Sequence, residues 1–175
     1  MNVKKIAMLV LGFVAFAASA KEVSVNLTKE FADKKYSIKK AYHSVDESLF
    51  QGRSKYGISG AVGFDVDRSR GKSQKSQCKY GRQELLVDGP AVDMPKCQLS
   101  NKLVFGKYNF NEMLVTNQLI KVDQRKPGEK DPYCTKHVVN TTFKIVPEDM
   151  TQAPVNFGHS EAVIYSTCLD TADNS

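Results

Sequence analysis

YGISGAVGFDVD, residues 56–67, is the stretch on which the fold turns. Ile58, Val62, Phe64 and Val66 all stand at even positions. Successive side chains of a strand point to opposite faces, so this spacing puts the four on one buried side. Gly57, Gly60 and Gly63 interrupt the run. Glycine within a strand marks a bulge or the close crossing of another backbone.

On its C-terminal side the texture changes. Residues 68–82 carry Arg68, Arg70, Lys72, Lys75, Lys79 and Arg82 with no acid among them, together with Gly71 and three serines. This poverty of apolar residues reads as a loop between two strands. A short strand follows over 84–87, then an Asp-Gly-Pro turn. LVFGKYNF, EMLVTNQLIKV, KHVVNTTFKIV and EAVIYSTCL are further strands, rich in β-branched and aromatic residues. QRKPGEKDP, 124–132, is a charged hairpin tip.

On the N-terminal side, EVSVNL (22–27) alternates Val23, Val25 and Leu27 with polar residues and reads as a half-buried strand. Between the two strands, Phe31, Ile38, Tyr42, Val45 and Leu49 form a stripe at spacings of 7, 4, 3 and 4, with Thr28 placed to cap it. That pattern predicts at least one helix within 28–50. The expectation is a mainly β domain over 21–175, a sandwich or a partly closed barrel, or an α+β variant with one N-terminal helix.

Residues 1–20 read as a secretory leader. Lys4 and Lys5 precede an apolar run, and Ala18-Ser19-Ala20 is a small-x-small exit. The run is shorter than the ~20 residues that span a bilayer, and the remaining chain holds no second one. No cysteine follows the exit, which argues against a lipoprotein. The expected protein is exported, periplasmic or secreted, with a leader of bacterial type.

Without Lys4 and Lys5 the net charge is +4, unevenly spread. Residues 21–82 hold 14 basic and 7 acidic side chains, and 83–175 hold 9 and 12. The asymmetry points to an acidic partner. Cys78, Cys97, Cys134 and Cys168 are an even set in an exported chain, which predicts two disulfides. Three pairings exist. Nearest partners meet most easily, so Cys78–Cys97 with Cys134–Cys168 is the expected one, each contributing about 3 kcal/mol through the unfolded chain.

Several constellations invite chemistry. Cys134 and His137 form Cys-x-x-His, and His43 and His159 complete the histidines, but one pair lacks the paired spacing of a zinc site. Asp65 and Asp67 share one side of the 56–67 strand, near Asp46 and Glu47. They lack the rest of a calcium loop and are expected to neutralise the lysines and arginines just downstream. GISG (57–60) and GHSE (158–161) are not the nucleophile elbow of a hydrolase. No metal, cofactor or enzymatic activity is expected; a small secreted hydrolase is the least favoured alternative.

The basic stretch remains. Its six cations, with Tyr80 as an aromatic face, suit phosphate, sulfate or carboxylate groups, and Cys78 would restrain it. The expected function is therefore non-enzymatic binding, inhibitor-like or immunity-like, of an acidic protein or a polyanionic envelope or extracellular ligand. Nucleic acid is not the expected partner of an exported chain. The alternating N-terminal strand on a disulfide-bonded β domain also resembles fimbrial subunits of the chaperone–usher type, which donate such a strand to a neighbour. That resemblance covers only 21–27 and the general architecture; the four cysteines, the lysine-rich segment that follows and the basic charge depart from it. It implies the other alternative, a structural or assembly subunit acting through edge strands.

Overall fold

A computed structural model describes residues 20–67 and 73–168; the expected leader, but for Ala20, lies outside the described residues. Two antiparallel sheets pack over one continuous core. In the first, β1 (Lys21–Ser24), β3 (Ile38–Leu49), β4 (Lys55–Asp67) and β5 (Ser73–Leu86) lie side by side in that order. The second runs β2 (Asn26–Leu27), β10 (Val155–Ser166), β9 (Cys134–Pro147) and β8 (Tyr108–Gln124). The far edge of β8 is shared by β6 (Val92–Asp93) and β7 (Cys97–Phe105).

The sheets are joined along both sides, which makes a partly closed barrel. On one side the N-terminal strand changes sheets. Val23 pairs with His43 in the first sheet, Val25 N–H donates to Ala41 O (3.0 Å), and Leu27 pairs with Gly158 in the second. On the other side the Cys78–Cys97 disulfide joins β5 to β7, with Cα atoms 5.3 Å apart. A second disulfide, Cys134–Cys168, ties the start of β9 to the chain just after β10. Both bridges follow the nearest-partner expectation.

The alternation in 56–67 holds. Ile58, Val62, Phe64 and Val66 are buried toward the core. Both glycine readings apply here. The β4–β5 register shifts between Ile58 and Gly60, where Gly81 and Arg82 together oppose Ser59. A Cβ on Gly60 would stand 2.2 Å from Ser44 O and 2.6 Å from the Tyr80 hydroxyl, so only glycine lets β3 and Tyr80 come so near.

The helix expected within 28–50 is present, with Thr28 at its N-cap, but it is short. Only α1 (Lys29–Ala32) is helical, followed by a 3-10 turn, Lys34–Tyr36, and then twelve residues of strand. Ala41, His43 and Val45 alternate inward while Tyr42 faces away from them. The helical spacing of the stripe was therefore a coincidence of residues from opposite faces. The short helix still has a packing role. Phe31 is fully buried, with its ring 5.1–6.1 Å from those of Tyr36, Phe105, Tyr108 and Phe157. Burying such a ring stabilises the fold by about 2–3 kcal/mol and plugs one end of the barrel.

Candidate binding surface

The basic stretch is largely strand, which corrects the loop expected over 68–82. Pairing with β4 resumes at Ser73 opposite Asp67 and continues to Leu86. Arg68, Arg70 and Lys72 fall in 68–72, outside the described residues. Within β5, period two divides the stretch. Ser76, Cys78 and Tyr80 face the core; Lys75, Gln77 and Lys79 face outward. Tyr80, expected as an aromatic binding face, is only 4% exposed, because it shares the parity of Cys78. Arg82 stands in the bulge, its side chain lying over Gly57 close to where Phe50 also rests.

The outward lysines form no ion pair with a described residue. No carboxylate among the described residues lies within ion-pairing distance of Lys75, Lys79 or the neighbouring Lys96. Lysines on β3, β4 and β7 do have such partners: Lys39 with Asp67 at 2.9 Å, Lys40 with Glu22 at 3.1 Å, Lys55 with Glu84 at 2.8 Å and Lys102 with Glu148 at 2.6 Å. Asp65 stands opposite Lys75 on one side and Lys40 on the other. Of the two aspartates of β4, Asp67 engages the upstream Lys39 rather than a downstream cation.

The inner face of β5 belongs to a buried polar row that crosses between the sheets. His43 is fully buried, with Nε2 2.7 Å from the Tyr80 hydroxyl and Nδ1 2.8 Å from Ser160 Oγ. The ring of Phe143 meets the imidazole edge-on at 5.1 Å. Beyond Tyr80, Thr141 Oγ1 donates to Asn117 Oδ1 at 2.6 Å. The Asn117 amide nitrogen has no partner of hydrogen-bonding geometry, yet it lies near enough to Tyr80 to oppose the phenol's upward shift. Desolvation pushes His43 down to about 4 and Tyr80 up to about 12, so both are neutral through the middle pH range. Nothing in the sequence singled out His43, although its place between Ala41 and Val45 in an alternating run was the available signal.

Chemically the row resembles a nucleophile beside a base, since Ser160 and His43 touch. Both are sealed in the core, and the ring nitrogen that an orienting carboxylate would occupy is held by Tyr80. His137 accepts from, or donates to, the Tyr56 hydroxyl at 2.9 Å and stacks near Tyr165 at 5.0 Å, with Arg53 over the outer face of that ring. Desolvation, then the Lys121 charge, lowers His137. His159 lies on β10 opposite Asn26, on a different strand from Cys134 and His137. No group of three His, Cys, Asp or Glu arranged to hold a metal occurs among the described residues.

No protein-family model matches this chain, and no curated protein and no solved structure is found similar to it. Among the described residues no helix is long and apolar enough to cross a membrane.

Proposed function

We propose that this chain is an exported, non-enzymatic binding protein that meets an acidic partner through the cationic surface of 68–82. The observation that carries the reading is the outward row of β5, where Lys75 and Lys79 have no ion-pair partner among the described residues while lysines on neighbouring strands do. A strand face holds those charges in place before any partner arrives, so less side-chain and backbone freedom is lost on binding than with a loop. Export is supported by the leader-like 1–20 sequence and by two disulfides, bonds that persist in oxidising compartments.

The test is capture by the oxidised chain lacking 1–20, from the envelope and extracellular fractions of the source cells, at low and high salt. It runs beside a variant carrying Arg70→Gln, Lys72→Gln and Lys75→Gln. Retention by the wild type at low salt, with loss in the variant and at high salt, is the expected result. Equal retention by both proteins at both salts would turn attention to the edge strands and the assembly alternative. In that alternative Val23, Val25 and Leu27 must leave their present partners on β3 and β10.

A further inference from the structure

We infer that the seam between β5 and β7 is a groove for an acidic polysaccharide, a polymer of sugars bearing uronate or sulfate groups. This rests on the proposed cationic surface and names its ligand. β7 pairs with β8 only at its two ends: Cys97 and Gln98 oppose Met113 and Glu112, and pairing resumes with Leu103 opposite Phe110. Between those points the chain turns to β5 instead. Asn101 N–H donates to Ser76 Oγ (3.2 Å), Asn101 Nδ2 to Lys75 O (2.8 Å) and Gln77 N–H to Ser100 Oγ (3.1 Å). Side chains and a disulfide, rather than a regular ladder, hold the two strands together.

A shallow groove of about 490 Å³ runs over this seam, lined by Gln77, Lys79, Lys96, Gln98 and Ser100. The lining is two ammonium groups, two amides and a hydroxyl. A protein partner normally seats aromatic or aliphatic anchors in desolvated apolar pockets, and no apolar side chain lines this groove. A sugar polymer asks for what is present. Amides and hydroxyls both donate and accept, as ring hydroxyls do, and ammonium groups match the acid groups. The methylene stems of lysine and glutamine supply cover for the C–H faces of the rings. Gln98 Nε2 donates to Glu112 Oε1 at 2.6 Å, which leaves the Gln98 carbonyl as acceptor and places one negative charge at the rim. That charge opposes an anionic ligand, so its removal is diagnostic.

The experiment measures binding of the oxidised protein to oligogalacturonate, to dextran sulfate, to poly-glutamate and to neutral dextran. The variants are Lys96→Gln, Gln98→Ala and Glu112→Gln in or beside the groove, and Lys75→Gln outside it. Lys96, Gln98 and Lys75 are exposed, so these substitutions leave the fold intact. At least one acidic polysaccharide should bind more tightly than poly-glutamate. Gln98→Ala should weaken it about three- to tenfold, the effect of one or two lost hydrogen bonds, and Glu112→Gln should strengthen it. Equal binding of poly-glutamate, with Gln98→Ala silent and Lys75→Gln weakening, would overturn the groove while leaving the cationic surface standing. Failure of every polyanion to bind the wild type would overturn both.

Discussion

The two faces of β5 both carry polar residues and put them to opposite uses. Inward, Ser76, Cys78 and Tyr80 have every polar group engaged: a hydroxyl on Asn101, a disulfide, a phenol on His43. Outward, Lys75 and Lys79 have no ion-pair partner among the described residues. The inner face is committed to joining the sheets and has nothing left to offer a ligand. The outer face adds little to stability and leaves its charges exposed to solvent. Polarity alone does not mark a binding residue; what matters is whether its bonding capacity is already used.

The sharpest way to break this contrast is at Cys78. Changing Cys78 and Cys97 together to Ser should cost about 3 kcal/mol, as expected for closing a loop across a separation of 19 residues. Urea unfolding under oxidising conditions measures it, and binding by the outer face should weaken with it. An unchanged midpoint would mean that side-chain hydrogen bonds alone hold the seam.

The next largest effect is set by protons. His43 is lowered in the folded state to about 4 from an ordinary value near 6.5. The unfolded chain therefore takes up the proton first. Its contribution is complete above about pH 6.5, falls as pH drops toward 4 and is gone below that, up to about 3 kcal/mol in all. His137, lowered more modestly, adds in the same direction. Urea midpoints across this window, with the His43 ring followed by NMR, should show the loss and a ring that stays neutral near pH 5. A ring protonating at its ordinary pH would show that water reaches the row.

Tyr80→Phe should come third, at about 1–3 kcal/mol, because it leaves His43 Nε2 buried without a partner. Thermal unfolding at pH 7 checks this, and binding of acidic ligands should be unaffected. Smallest in stability is Lys75→Gln with Lys79→Gln, within about 0.5 kcal/mol, yet it should weaken capture of the acidic partner most clearly at low salt. If this pair altered stability as much as Tyr80→Phe, the two faces would not be divided as described.

The same division explains what could be read in the sequence. Residues 56–67 were legible because their inward positions are Ile, Val, Phe and Val. β5 was not, because its inward positions are Ser76, Cys78 and Tyr80, which do not register as an apolar period. β3 failed for a related reason. Its inward run contains His43, a residue read as polar until its two partners are seen, and Lys39 and Lys40 look helical in isolation. The disulfide pairing was legible since each bridge joins chain neighbours among the four cysteines. The groove was not, because it depends on β7 leaving β8, a choice made by tertiary packing rather than by local pattern.

The crossing of the N-terminal strand has a consequence for how the molecule forms. Leu27 lies on Gly158, and Lys21 Nζ donates to Val163 O, 142 positions away. Contacts so distant along the chain make folding slow, since loop closure must precede their reward. The first strand therefore cannot find its second-sheet partner until β10 has been delivered. A chain threaded through a membrane from its N-terminus would reach the far side with this closure still open, and would complete it only after almost all of its length had arrived.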